Sequence, residues 1–111
     1  MTPATAQKKH QVHIHAKDGG LRYAKPGGEN AHTIEVTRGD RISWRCDHGN
    51  FAVLFKQHSP FSAVALHGHK GTDSEEGVVT GAAGSYHYAV TVAVGDQVLT
   101  DDPVVIVNDG D

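Results

Sequence analysis

The chain has 111 residues, the size of one domain, since domains typically hold roughly 100–150 residues. Hydrophobic residues at 38% and charged ones at 21% permit a modest core and exclude wholesale disorder. No run of about 18 apolar residues exists, which excludes a membrane-spanning helix, and a formal net charge of −3 argues against a general nucleic-acid binder.

The single cysteine, Cys46, excludes an intramolecular disulfide framework and a multi-cysteine zinc site. Nine histidines are the one compositional oddity. Met1 to His10 is polar and lacks the apolar stretch of about 7–15 residues that marks a signal peptide. The expectation is a flexible arm over 1–10, a domain over 11–108 and a cytoplasmic location, or a periplasmic one if a leader has been removed. Asn108 to Asp111 is short and acidic, and is expected to fray.

The elements run as short β-like segments separated by Gly and Asp. In Gln11 to Ala16, Val12, Ile14 and Ala16 alternate with His13 and His15, giving one apolar face and one histidine face. Asp18 to Asn30 carries Gly19-Gly20 and Pro26-Gly27-Gly28 and reads as a loop, with a short extended piece at Leu21 to Ala24. Thr33 to Thr37 points Ile34 and Val36 inward. Arg38-Gly39-Asp40 is a tight turn, because Gly tolerates positive φ and Asp can bond its own backbone. Arg41 to Cys46 follows, with Ile42, Trp44 and Cys46 on one face.

After a turn at Asp47 to Asn50, Phe51 to Phe55 is apolar throughout, as in a strand covered on both faces or one that meets a partner. Gln57 to Asp73 is the longest irregular region. Within it Ser59-Pro60 is expected to cap one helical turn, with Phe61, Val64 and Ala65 on one side. Glu75 to Thr80 is a candidate strand. Gly84 to Val94 alternates over its full length, Tyr86, Tyr88, Val90, Val92 and Val94 on one face and His87, Ala89, Thr91 and Ala93 on the other. Gly95-Asp96 turns the chain and Gln97 to Thr100 pairs back. Asp101-Asp102-Pro103 then reads as a chain reversal that stops edge pairing, and Val104 to Val107 closes the chain. Seven or eight short strands with turn signals every 8–12 residues predict an all-β, single-domain β-sandwich, because two packed sheets hide both apolar faces.

The segment HTIEVTRGDRISWRCDHGNFAVLF resembles the central strands of the cupredoxins, the plastocyanin-like sandwiches, and GAAGSYHYAV resembles their penultimate strand. DDPVVIV stands where their closing strand would be. The resemblance implies a cupredoxin-like fold, a Greek-key β-sandwich, over roughly Gln11 to Asn108. Blue copper needs two histidines, a cysteine and usually a weak axial methionine. At the family's first histidine position this chain has Phe51, and at its cysteine position Val90. No His or Met lies between Ala93 and Asp102, and the only methionine is Met1. The resemblance therefore implies the fold without type 1 copper and without electron transfer.

Several residues invite chemistry. His13 and His15, at i and i+2 on one strand face, lie about 7 Å apart and can grip a copper, nickel or zinc ion if His10 or a neighbouring strand supplies a third ligand. The bland alternative is a solvated face. His67 and His69 flank Gly68 in a glycine-rich loop, where both rings can turn to one centre or simply lie exposed. His48, His58 and His87 have no spacing that singles them out. Cys46 alternates with Trp44 and reads as a small buried hydrophobe. Trp44 reads as the core centre, and Tyr86 as an anchor whose hydroxyl bonds backbone, as in a tyrosine corner. Asp73, Glu75 and Glu76 form a solvated acidic patch.

No nucleotide-binding glycine loop, nucleophile elbow or His-Glu-x-x-His pattern is present. Ala52, Leu54, Ala89 and Ala93, with Thr91 between, are expected to share an outer sheet face that suits a homodimer or a protein partner. The sequence thus points to a non-enzymatic binding or accessory module with no cofactor, no nucleic-acid partner and no membrane. The alternative is a histidine-based transition-metal binder through His13, His15, His67 and His69.

Overall fold

A computed structural model of the chain describes residues 8–17 and 19–108. Among these residues there are ten strands and no helix: β1 Lys9–Lys17, β2 Gly20–Ala24, β3 Thr33–Thr37, β4 Arg41–Cys46, β5 Asn50–Phe55, β6 Ala65–Gly68, β7 Gly77–Val78, β8 Gly84–Val94, β9 Gln97–Asp101 and β10 Val104–Asn108. They form two sheets, β2-β1-β4-β7 and β3-β10-β8-β5-β6, with β9 also paired to β8. The expected all-β sandwich is the observed one, with ten strands rather than seven or eight.

Alternation explains the layers. Val12 and Ile14 of β1 and Ile42, Trp44 and Cys46 of β4 face inward from one sheet. Ile34 and Val36, Phe51, Val53 and Phe55, Tyr88, Val90 and Val92, and Val105 and Val107 face them from the other. Four aromatic rings bind the layers together. Trp44 stands edge-on to Tyr88 at 5.5 Å and to Phe61 at 6.0 Å, and Phe55 packs on Tyr88 at 5.1 Å and on Phe61 at 5.4 Å. Such offset and edge contacts suit the ring quadrupoles. The Trp44 indole N–H donates to the Tyr88 hydroxyl at 3.2 Å, so the polar handles of both rings are satisfied inside the core. Burial pushes the Tyr88 phenol well above its usual pKa, and the Trp44 bond opposes this only in part.

Several local expectations are corrected. β1 starts at Lys9, so Lys9 and His10 belong to the sheet and not to an arm; residues 1–7 of that arm lie outside the described residues. Asn108, expected to fray, pairs with Thr37 as the last residue of β10, and 109–111 lie outside the description. The piece at Leu21 to Ala24 is a full strand, paired antiparallel to β1 with Ile14 opposite Tyr23; Asp18 lies outside the described residues. The helical turn at Ser59-Pro60 is absent. Instead the Ser59 hydroxyl accepts from the Phe61 N–H at 3.0 Å and donates to the Ala63 carbonyl at 2.6 Å. This side-chain turn replaces helical hydrogen bonds and drops Phe61 into the core while Val64 stays exposed.

β6, Ala65–Gly68, lies inside the Gln57 to Asp73 region that the sequence reads as irregular. It forms because β5 offers an open edge, with Val53 opposite Leu66. β7 is only two residues long, since Ser74 substitutes a side chain for the ladder. Its hydroxyl accepts from the Trp44 N–H at 3.0 Å while its own N–H donates to the Trp44 carbonyl at 2.7 Å.

Asp101-Asp102-Pro103 does not reverse the chain. β9 and β10 run end to end along β8 in one register, Val90 opposite Asp101 and His87 opposite Val104. The Pro103 carbonyl still accepts from the Tyr88 N–H at 3.1 Å. Pro103 has no N–H to give, so the long partner strand is nicked there and not turned. The Lys56 ammonium meets the Asp102 carboxylate at 2.6 Å beside the nick.

Candidate functional site

Three histidines gather on the outer face of the first sheet, at the end where β4 stops. His13 and His15 project from β1 on the face opposite Val12 and Ile14. Their ring centroids are 6.3 Å apart. His48 follows β4, and because β4 runs parallel to β1 with Ile14 opposite Cys46, it arrives beside His15, ring centroids 6.0 Å apart. His15 is the shared member. His15 and His48 also border a surface cleft of about 740 Å³ that Tyr23 and His32 help to line.

His13 is held in place by its own strand. Its Nε2 lies 2.7 Å from Gln11 Oε1, and Gln11 Nε2 donates to Asp73 Oδ1 at 2.8 Å. A carboxylate only accepts, so the Gln11 amide must turn its NH₂ to Asp73 and its oxygen to His13. His13 therefore donates through Nε2, which leaves Nδ1 as the lone-pair nitrogen of the neutral ring. Asp47 closes the group. The hydrogen bond from Arg45 at 3.0 Å, with its positive charge, holds the Asp47 carboxyl below the usual carboxylate range against a desolvation penalty.

The other expected ligands sit elsewhere. His10 lies on the inward side of β1, its Nε2 2.8 Å from Asp40 Oδ2, and cannot join His13 and His15. His67 is on β6 and exposed; its N–H donates to Glu75 Oε1 at 2.9 Å and its ring Nδ1 is 3.8 Å from the same oxygen. Gly68, between His67 and His69, is there to admit a ring. A Cβ at Gly68 would stand 2.3 Å from Phe51 Cζ. His69 closes a turn, its carbonyl accepting from the Thr72 N–H at 2.9 Å and the Thr72 hydroxyl at 3.0 Å. As the side chains stand, no three of His, Cys, Asp and Glu among the described residues are drawn to one coordinating centre.

Cys46 and Trp44 are buried, as expected. The Tyr86 hydroxyl donates to the Ala82 carbonyl at 2.6 Å, the expected backbone anchor. Phe51 and Val90 are both core residues, and Val53 pairs directly with Val90. On the outer face, Leu54 lies opposite Ala89 and is 49% exposed; Val98 continues this face opposite Ala93.

Two polar features exceed their sequence signal, which for Asp40 is a turn residue bonding backbone and for Tyr23 is nothing. Asp40 is buried and accepts from the Thr37 N–H at 3.0 Å, the Lys8 N–H at 3.2 Å and His10. Burial alone would raise its pKa, but these bonds outweigh it and hold the carboxyl below its usual value. Tyr23 is also buried, and its hydroxyl has no hydrogen-bond partner in place among the described residues. Its ring meets His32 edge-on at 5.5 Å. Burial first, and then the negative charge of Asp101, drive its pKa far above the ordinary phenol range. The His15–His48 approach was equally hidden, because it depends on which strands are parallel neighbours.

No protein-family model matches this chain, and no curated protein matches it. Among solved structures it is similar to a chain of a heme-copper terminal oxidase dimer determined by cryo-EM, with a TM-score of 0.55. The two share 16% sequence identity over 95% of this chain and 67% of that one. At that identity the likeness shows the fold and nothing further.

Proposed function

We propose that this chain is a non-enzymatic, cupredoxin-like binding module that carries no type 1 copper centre and transfers no electrons. One observation carries this reading. Phe51 and Val90, at the positions where the cupredoxin resemblance calls for a histidine and a cysteine ligand, are apolar side chains packed in the core. Neither can donate to a metal, and replacing both would open the space between the sheets. The oxidase chain with the same sandwich supports the cupredoxin-like assignment, since its complex is a heme-copper enzyme.

Cys46 is the one thiol available for copper. It faces inward between the sheets, and its carbonyl accepts from the Gly71 N–H at 2.9 Å. A buried thiol without a metal-poised neighbour behaves as a small hydrophobe. Addition of Cu(II) to the purified chain is expected to give no intense copper–thiolate charge-transfer band and no reversible copper couple that depends on Cys46. Either signal, lost in Cys46→Ser, would place Cys46 on copper and overturn the reading.

A further inference from the structure

We propose that the imidazoles of His13, His15 and His48 form a surface site for one borderline divalent transition ion, Cu(II), Ni(II) or Zn(II). The site uses none of Phe51, Val90 or Cys46, so it stands apart from the question of a blue copper centre.

Two of the three ring pairs stand close to the spacing such an ion needs. With metal–nitrogen bonds of about 2.0–2.1 Å, two imidazoles on a tetrahedral ion have ring centroids about 5 Å apart. The observed separations are 6.3 Å for His13 and His15 and 6.0 Å for His15 and His48. Closing each of these two gaps takes a movement of about 1 Å. The three rings do not share one centre as they stand, so His13 and His48 must both turn toward His15, which changes in side-chain torsion can supply. His15 and His48 are both exposed and free to make that change. The backbone beneath them is less free. His13 and His15 are tied to one strand at fixed spacing, and the parallel β1–β4 ladder fixes where His48 leaves it.

His13 shows a second feature of ligating histidines. These almost always donate their other ring N–H to an oxygen acceptor, which fixes the tautomer and aims the lone pair. Gln11 Oε1 is that acceptor, itself fixed by Asp73. A histidine on an idle solvated face has no need of a two-step relay to settle its tautomer. The charges nearby permit a cation. Arg45, on the same face, is paired with Asp47 at 3.0 Å and lies 3.9 Å from Asp73. Arg22, opposite His15 on β2, is exposed and can swing clear on its long side chain. Three neutral imidazoles suit copper, nickel and zinc, and discriminate against magnesium and calcium, which prefer oxygen.

The test is a titration of the full chain, purified without a nickel column, with Cu(II) and separately with Zn(II). Calorimetry is expected to show one equivalent bound more tightly than any metal held by the remaining histidines. The Cu(II) adduct is expected to give an electron paramagnetic resonance spectrum with nitrogen hyperfine splitting and no thiolate band. His15→Ala and His48→Ala should each weaken the tight equivalent about tenfold or more, and Gln11→Ala should do so through His13 by about tenfold. His67→Ala should leave it unchanged. In wild-type protein, NMR should show Zn(II) perturbing the ring signals of His13, His15 and His48 before those of His67 and His69, which needs no variant to fold. Wild-type affinity in both His15→Ala and His48→Ala, loss of the tight equivalent in His67→Ala, or absence of any tight equivalent would overturn the proposal. A thiolate band would instead count against the function proposed above.

Discussion

Asp40 shows how one buried side chain can fasten two distant parts of the chain with three hydrogen bonds. It sits in the turn after β3, with Gly39 before it at φ 97°, and its oxygens take bonds from Thr37, Lys8 and His10. The start of β1 is thereby tied to the β3–β4 turn. A carboxyl whose folded pKa lies below its unfolded value of about 3.9 adds stability at higher pH and loses it as pH falls through the folded value. Thermal melts should therefore show wild type losing stability below about pH 4. Asp40→Asn should melt lower than wild type at pH 7, with the gap narrowing as the pH drops. A gap that stays constant down to about pH 2 would mean that the Asp40 charge contributes nothing.

Trp44 matters through volume and through its N–H. Trp44→Ala would empty the centre of the aromatic cluster and leave the Tyr88 hydroxyl without its partner, at a cost of about 3–5 kcal/mol. Domains of this size hold about 5–15 kcal/mol, so urea titration should find the mutant marginal. Trp44→Phe, which keeps a ring but loses the N–H, should fall between the two. Melting of Trp44→Ala at the wild-type midpoint would place Trp44 outside the core.

At the level of elements, the β4–β5 turn passes so close to the end of β8 that only glycine fits. A Cβ on Gly49 would lie 1.8 Å from the Ala93 carbonyl oxygen and 2.8 Å from its carbon. These are backbone atoms in the middle of the sheet, and they cannot swing aside as a side chain would. Gly49→Ala should therefore cost about 1–3 kcal/mol or more, measured by chemical denaturation. The strand ends would also separate, so amide exchange should quicken at Asn50 and Val94. An unchanged midpoint would show that the turn has slack. The same turn delivers His48 to His15, so its tightness bears on the metal site as well as on stability.

For the whole molecule the histidines set the charge. Protonating all nine carries the formal net charge from −3 to +6. Repulsion between molecules is weakest where net charge vanishes, near the sequence pI of 6.3. Solubility, followed by turbidity across a pH series, should dip there and recover on both sides, the dip shallowing as salt screens the remaining charges. A flat profile would show that charge does not limit solubility.

Alternation and turn chemistry made much of the fold legible in advance. Thr33–Thr37, Arg41–Cys46 and Gly84–Val94 have the bounds their residues imply, because each alternates without interruption between turn formers. The inward face of Phe51 to Phe55, the burial of Trp44 and Cys46 and the Tyr86 anchor follow from the same local rule. Histidine pairs on one strand, such as His13 and His15, are equally visible, since a strand places i and i+2 side by side. What sequence does not hold is which strands become neighbours. His48 stands 33 positions from His15 and meets it only because β1 and β4 are parallel partners. The same ignorance hid β6, which exists because β5 had an open edge, and mistook Asp101-Asp102-Pro103 for a reversal when β8 is long enough to hold the strands on both sides of Pro103. Local pattern is set by each residue and its near neighbours, whereas pairing is set by the burial of the whole core, and the candidate site lies where two paired strands end.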